Sequence, residues 1–201
     1  MANSWQGYQE SPGQKTAISH LLSQVNSKPD SVDLPQAINQ VEVVSPLGYS
    51  LKHPSTWQRF STPTSSPDSD IFLSKSFPSS ATDNVITVTT TLREFLSVPK
   101  QLPPNVQRFD RVAELYASLL YRIGYKIYEL KPLMINERKA IALVTETPDK
   151  KGSTTVLIEG KDEKMVVSTA VYPLDNSIMT RETLEQALAE IREIQKSITI
   201  R

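Results

Sequence analysis

The chain has no cysteine, six glycines, two histidines and no net charge, and each shortage removes a class of function. Without a thiol there is no disulfide scaffold, thiolate metal site, cysteine nucleophile or lipid-modified cysteine. Few glycines leave little material for a phosphate-cradling loop, and Gly160-Lys161 in "EGKDEKM" has no glycine-rich stretch before it. Lys+Arg and Asp+Glu both number 22, which argues against a nucleic-acid binder, whose affinity rests on a basic footprint. No apolar run approaches the roughly 20 residues of a membrane-spanning helix. Residues 1–30 carry neither a secretory apolar region nor an Arg-rich transit pattern.

Catalytic patterns are scarce as well. The serines form no G-x-S-x-G elbow. His20 and His53 have no cysteine or second histidine at metal-ligand spacing, and His53, at a strand end before Pro54, reads as a rim residue. Asp68, Asp70, Asp162, Glu163 and Asp175 fall in turn-like stretches, where acids cap or meet solvent. These readings assign no catalytic residue, no cofactor and no metal, and they favour a protein that is not an enzyme. A hydrolase built on His53 is the rival from another class.

What remains is enough for a packed domain: 201 residues, 38% hydrophobic and 22% charged. Residues 1–40 read as an N-terminal extension and 41–201 as the domain. Within the extension, "QKTAISHLLSQV" places Ile18, Leu21, Leu22 and Val25 on one helical face. So short a helix is marginal in water and needs a surface, its own domain's or a partner's. Pro29 and Pro35 mark the following stretch as a linker.

From Val41 the pattern turns to strands. "VEVVSP" and "GYSLKHP" flank a turn at Pro46-Leu47-Gly48, with Pro54 as a stop and Trp57 in a polar turn beyond it. Strands at 70–77 and 84–92 follow a polar loop at 61–69. Four more, at 125–134, 138–147, 153–160 and 164–172, are joined by links too short for parallel crossovers, so they form an antiparallel meander. A last strand at 197–200 closes the chain. Two helices show the 3.6 period. In 109–123, with Asp110 as cap and Gly124 as stop, Val112, Leu115, Tyr116, Leu119, Leu120 and Ile123 form the core stripe. In 181–195, capped by Thr180, the stripe is Leu184, Ala187, Leu188, Ile191 and Ile194. One sheet with helices on its faces accommodates both stripes. Basic residues gather at hairpin tips: Lys150-Lys151 at one end, Arg138, Lys139, Lys161 and Lys164 at the other, where they would steer an acidic partner.

The order of these elements resembles the PsbP family. "SPLGYSLKHPSTWQ" matches the family's opening G-[FY]-x-[LF]-x-x-P-x-x-W signature through Gly48, Tyr49, Leu51, Pro54 and Trp57, and Asn84-Val85 matches its Asn-Val pair. The resemblance spans residues 43–201. It implies an α+β fold, an α/β/α sandwich with a central antiparallel sheet, plus a partly extended N-terminal segment; bacterial DcrB-like and eukaryotic Mog-type proteins share that fold. It further implies a non-catalytic accessory or assembly subunit of a photosynthetic membrane complex. The location implied is the thylakoid lumen or the lumenal membrane surface, with a larger protein complex as partner and neither nucleic acid nor a membrane span. Partner contact is expected at Ile18, Leu21, Leu22 and Val25 and at Arg138, Lys139, Lys161 and Lys164. A soluble chaperone or secretion adaptor of the DcrB/Mog type is the alternative.

Overall fold

The computed structural model describes residues 39–60, 69–74, 86–95, 106–175 and 179–201. The stripe Ile18, Leu21, Leu22 and Val25, His20, the linker, the loop at 61–68 and the Asn84-Val85 pair lie outside the described residues. Ten strands and two helices occur among those described, in the order β1 (Gln40–Ser45), β2 (Tyr49–Pro54), β3 (Trp57–Phe60), β4 (Ser69–Ser74), β5 (Thr87–Glu94), α1 (Arg108–Arg122), β6 (Lys126–Ile135), β7 (Arg138–Glu146), β8 (Gly152–Glu159), β9 (Lys164–Tyr172), α2 (Arg181–Lys196) and β10 (Thr199–Ile200).

Local chemistry explains many of the boundaries. Gly48 turns β1 into β2 with φ +100°, a backbone region that favours glycine, and its N–H donates to the Ser45 carbonyl at 3.2 Å. Gly124 ends α1 at φ +92°. Thr180 caps α2, its hydroxyl accepting from the Thr183 N–H at 3.3 Å. Asp110 does not cap α1: Gln107 occupies that position without a side-chain bond, and Asp110 sits in the first turn, where its charge meets the positive end of the helix dipole. Trp57 is not in a turn either. It opens β3, pairing with Ser74 of β4.

The strands form two sheets, where the hydrophobic pattern suggested one. β1, β2 and β10 make a three-stranded sheet; the other seven run β3-β4-β5-β9-β8-β7-β6. All pairings are antiparallel. Strand alternation then splits the core in two. One face of the large sheet presents Phe72, Val88, Val156, Ile158, Val166 and Ala170 to α2 and to Tyr49 and Leu51 of the small sheet. The opposite face presents Ile141, Leu143, Leu157, Met165 and Val167 to α1. A sheet lies between helices, and the architecture is an α+β sandwich with an antiparallel centre.

The α2 side is held by polar bonds that periodicity does not reveal. The Trp57 indole donates to Glu190 Oε2 at 2.6 Å, inside the core. Gln195 Nε2 reaches the carbonyls of Thr154 and Ser168 at 3.2 and 3.1 Å, tying helix to sheet. Ser197 Oγ accepts from the Lys52 N–H at 2.8 Å and anchors the helix end on β2. The first two satisfy buried groups that would otherwise be costly to leave unpaired.

Candidate partner-binding surface

The turns at 136–137 and 160–163 lie at the same end of the large sheet, because the meander reverses direction at each link. Asn136 and Glu137 both take positive φ, 46° and 64°, closing β6 onto β7 in two residues. The Asn136 amide also donates to the Ile198 carbonyl at 2.7 Å, so the turn clasps the C-terminal segment. Arg138 and Lys139 start β7 half-buried; Lys161 and Lys164 are exposed. Arg138 Nη1 donates to the Glu159 carbonyl at 3.4 Å, bringing the two hairpins together. Glu137, Glu159, Asp162 and Glu163 stand among these cations, and Glu163 pairs with Arg108. With Arg108, five cations stand among four carboxylates, so this end carries charges of both signs.

Lys150 and Lys151 lie at the other end. Glu146, nearly buried, takes Lys150 at 2.9 Å, Lys126 at 3.3 Å and the Tyr128 hydroxyl at 2.7 Å. Burial pushes the Glu146 carboxyl up, but the bonds from Tyr128, Lys150 and Lys126 outweigh it, and its pKa falls below the ordinary value. Burial and the same carboxylate push Tyr128 up to about 12. Lys151 pairs with Asp149 at 3.2 Å. These cations are spent within the fold.

Two groups assigned to the rim or to turns sit elsewhere. His53 is 4% exposed, its ring 5.2 Å from that of Phe72. Its Nδ1 lies 2.8 Å from the Pro54 carbonyl, which only accepts, so that nitrogen carries the hydrogen. Asp70 is a buried β4 residue joining the two sheets. It accepts from the Tyr49 hydroxyl of β2 at 2.6 Å and from Arg59 Nε of β3 at 2.9 Å, while Tyr49 also donates to the Thr90 carbonyl of β5 at 2.9 Å. Burial raises the Asp70 pKa, yet the bonds from Ser45, Tyr49 and Arg59 prevail and hold it below the usual range. Burial, with the bond to Asp70, drives the Tyr49 pKa upward. Both groups are structural ties in the interior, which places Tyr49 of the opening signature in the sheet-to-sheet joint. Among the described residues, no group of three or more His, Asp or Glu side chains is placed to hold a metal ion.

The α1 stripe also departs from expectation. Phe109, Val112, Ala113 and Ala117 are buried, but Leu119 and Ile123 are 48% and 56% exposed. The helix packs on side chains of β6, β7, β8 and β9, and the outer edge of its stripe is left exposed. A 3.6 period identifies an apolar stripe but not how much of it the sheet reaches.

No protein-family model matches this chain, and no curated protein matches its sequence. Solved structures do. The solution structure of cyanobacterial PsbP (CyanoP) from Synechocystis sp. PCC 6803 superposes with TM-score 0.54 over 88% of this chain and 99% of that one, at 9% identity. The crystal structure of the Saccharomyces cerevisiae Ran-binding protein Mog1p gives TM-score 0.53 over 82% and 96%, at 11% identity. The fold is similar to that of PsbP and Mog1p. At such identity the likeness concerns backbone architecture alone. Among the described residues, no helix is long and apolar enough to cross a membrane.

Proposed function

We propose that the chain is a non-catalytic, PsbP-like accessory or assembly subunit that binds a larger photosynthetic membrane complex on its lumenal side. The observation that carries this reading is the architecture shared with cyanobacterial PsbP across nearly all of that protein's length. It is supported by the opening signature, whose Tyr49, Leu51 and Trp57 are core residues at the joint of the two sheets. Binding would bury Ile18, Leu21, Leu22 and Val25 against the partner and set the mixed charges around Arg138, Lys139, Lys161 and Lys164 against complementary ones.

A pull-down from native membranes, read by mass spectrometry, tests this with the full chain and with a form lacking residues 1–30. The expected result is one photosynthetic complex retained by the full chain and lost by the shortened form, with an unchanged melting temperature. Recovery of soluble proteins alone would overturn it. That outcome would favour a chaperone or adaptor of the Mog type, a reading supported by the equal likeness to a Ran-binding protein. Retention of the complex by the shortened form would move the contact from the N-terminal segment to the domain.

A further inference from the structure

One helix is too narrow for the face it covers. Seven strands spaced about 4.8 Å apart span roughly 30 Å, whereas a helix with its side chains is about 10–12 Å across. The α1 core cluster includes side chains of β6, β7, β8 and β9, and none of β3, β4 or β5. On the half that no described helix covers, Ile71 and Leu73 of β4 and Thr87 and Thr89 of β5 face the α1 side half-buried, and Thr91 of β5 is buried there. Phe60 of β3, opposite Ile71, is 45% exposed.

α1 forms a wall along this shelf. Tyr116 lies near the Thr169 and Thr155 hydroxyls of β9 and β8, within range of Arg93 on β5 and of Tyr125 before β6. Leu119 and Ile123 follow Tyr116 at i+3 and i+7, on the same flank. They are the large apolar side chains that α1 leaves exposed beside the shelf. The hand of the connection agrees: β5 and β6 run parallel, and a right-handed crossover through α1 turns this flank toward β5.

Two cations without an ion pair among the described residues flank the shelf, while the nearby Glu163 carboxylate is taken by Arg108. Exposed Arg93 marks one end and exposed Arg122, in the last turn of α1, the other. Neither forms an ion pair among the described residues; Arg93 Nε donates to the Thr91 hydroxyl at 3.3 Å. The carboxylates of α1, Asp110 and Glu114, lie on the opposite flank, at helical spacing with Ala117 and Tyr121.

We infer that this shelf is a docking groove for an amphipathic helix of a partner protein, with an apolar stripe against Leu119 and Ile123 and carboxylates facing Arg93 and Arg122. The charge distinguishes the occupant from the chain's own apolar island, which is flanked by Lys15, His20 and Lys28 and carries no acid between Gln14 and Lys28. A helix in this position completes the layer that α1 begins. The groove adds a second contact to the proposed accessory role, and its named lining residues all belong to the domain.

The test uses the purified full chain and fluorescent model helices of about sixteen residues, four turns with a leucine stripe. One helix has glutamate flanks, one has lysine flanks, and a third peptide is residues 10–30 of this chain. Anisotropy titration is expected to show the acidic helix binding at least tenfold more tightly than the lysine form. Leu119→Ser with Ile123→Ser, and separately Arg93→Gln with Arg122→Gln, should each weaken binding fivefold or more at unchanged melting temperature. Equal binding of the acidic and lysine helices overturns the inference, as does wild-type affinity in both double variants or absence of binding. Displacement of the acidic helix by the 10–30 peptide also overturns it, by assigning the groove to the chain itself. Because no membrane complex is present, failure here leaves the pull-down result standing, and the converse also holds.

Discussion

The two faces of the seven-stranded sheet solve the same burial problem differently. On the α2 face, among the described residues, helix, small sheet and large sheet share one apolar cluster, with Tyr49 bonded to Asp70, Glu190 to the Trp57 indole and Gln195 to backbone carbonyls. The α1 face carries one helix over a threonine-rich floor, with Leu119 and Ile123 in solvent. Beneath it the hydroxyls of Thr145 and Ser153, paired across β7 and β8, have no hydrogen-bond partner among the described residues. A face on which most buried polar groups are bonded, the Thr154 hydroxyl excepted, tolerates little change. A face with open apolar edges and idle hydroxyls retains capacity for another molecule.

The contrast predicts a graded series of effects, beginning with the α2 face. Trp57→Ala removes an indole that is 2% exposed and strands the Glu190 carboxylate; urea denaturation should register a loss of about 3–5 kcal/mol. A loss below 1 kcal/mol would mean that this core is looser than its bonding implies. Next comes Gly152→Ala. A Cβ there would meet Tyr172 Cε2 at 2.1 Å, against a ring that is 3% exposed, so overpacking should cost about 2 kcal/mol by the same measurement.

Asp70→Asn should cost about 1–2 kcal/mol at neutral pH, since the Arg59 and Tyr49 bonds lose their charged acceptor. Its larger signature is pH dependence. With the folded-state pKa below the unfolded value of about 3.9, Asp70 contributes stability that is complete above that value and lost as pH falls through the folded one. The variant should lack this part of the acid loss and keep the part due to Glu146, whose pKa is lowered in the same direction. Identical acid profiles for variant and parent would remove Asp70 from the joint. The smallest effect belongs to the open face: Thr145→Val replaces an unpartnered hydroxyl and should shift stability by less than about 1 kcal/mol, upward if at all. A clear loss there would show that the α1 face is as tightly bonded as the other.

Much of the architecture was legible in the chain, and particular residues show why. The meander from β6 to β9 follows from short polar links that only antiparallel pairing can accommodate. Leu184, Ala187, Leu188, Ile191 and Ile194 identify α2 and its inner face together, since all of them are buried but Leu188, which is half-buried against the same core. The same period misleads in α1, where Leu119 and Ile123 continue the stripe beyond the edge of what the helix covers. Gln195 and Glu190 lie outside the apolar stripe of α2 yet in the core, because their partners come from strands far away in sequence. His53 and Asp70 likewise sit in strands whose burial depends on a second sheet that no local pattern announces.

Sequence alone therefore determines what is encoded within a few residues: strand alternation, helix stripes, the Gly48 and Gly124 turns, the Thr180 cap and the exclusion of thiol chemistry. Tertiary structure decides what requires distant segments to meet. It pairs β5 with β9, divides the ten described strands between two sheets, buries Tyr49 and Asp70 and ties them to the exposed Arg59, and sets α1 to one side of a sheet wider than itself. The physical reason is range. Backbone propensity and periodicity act over a turn or a strand, whereas burial is a property of the assembled layers.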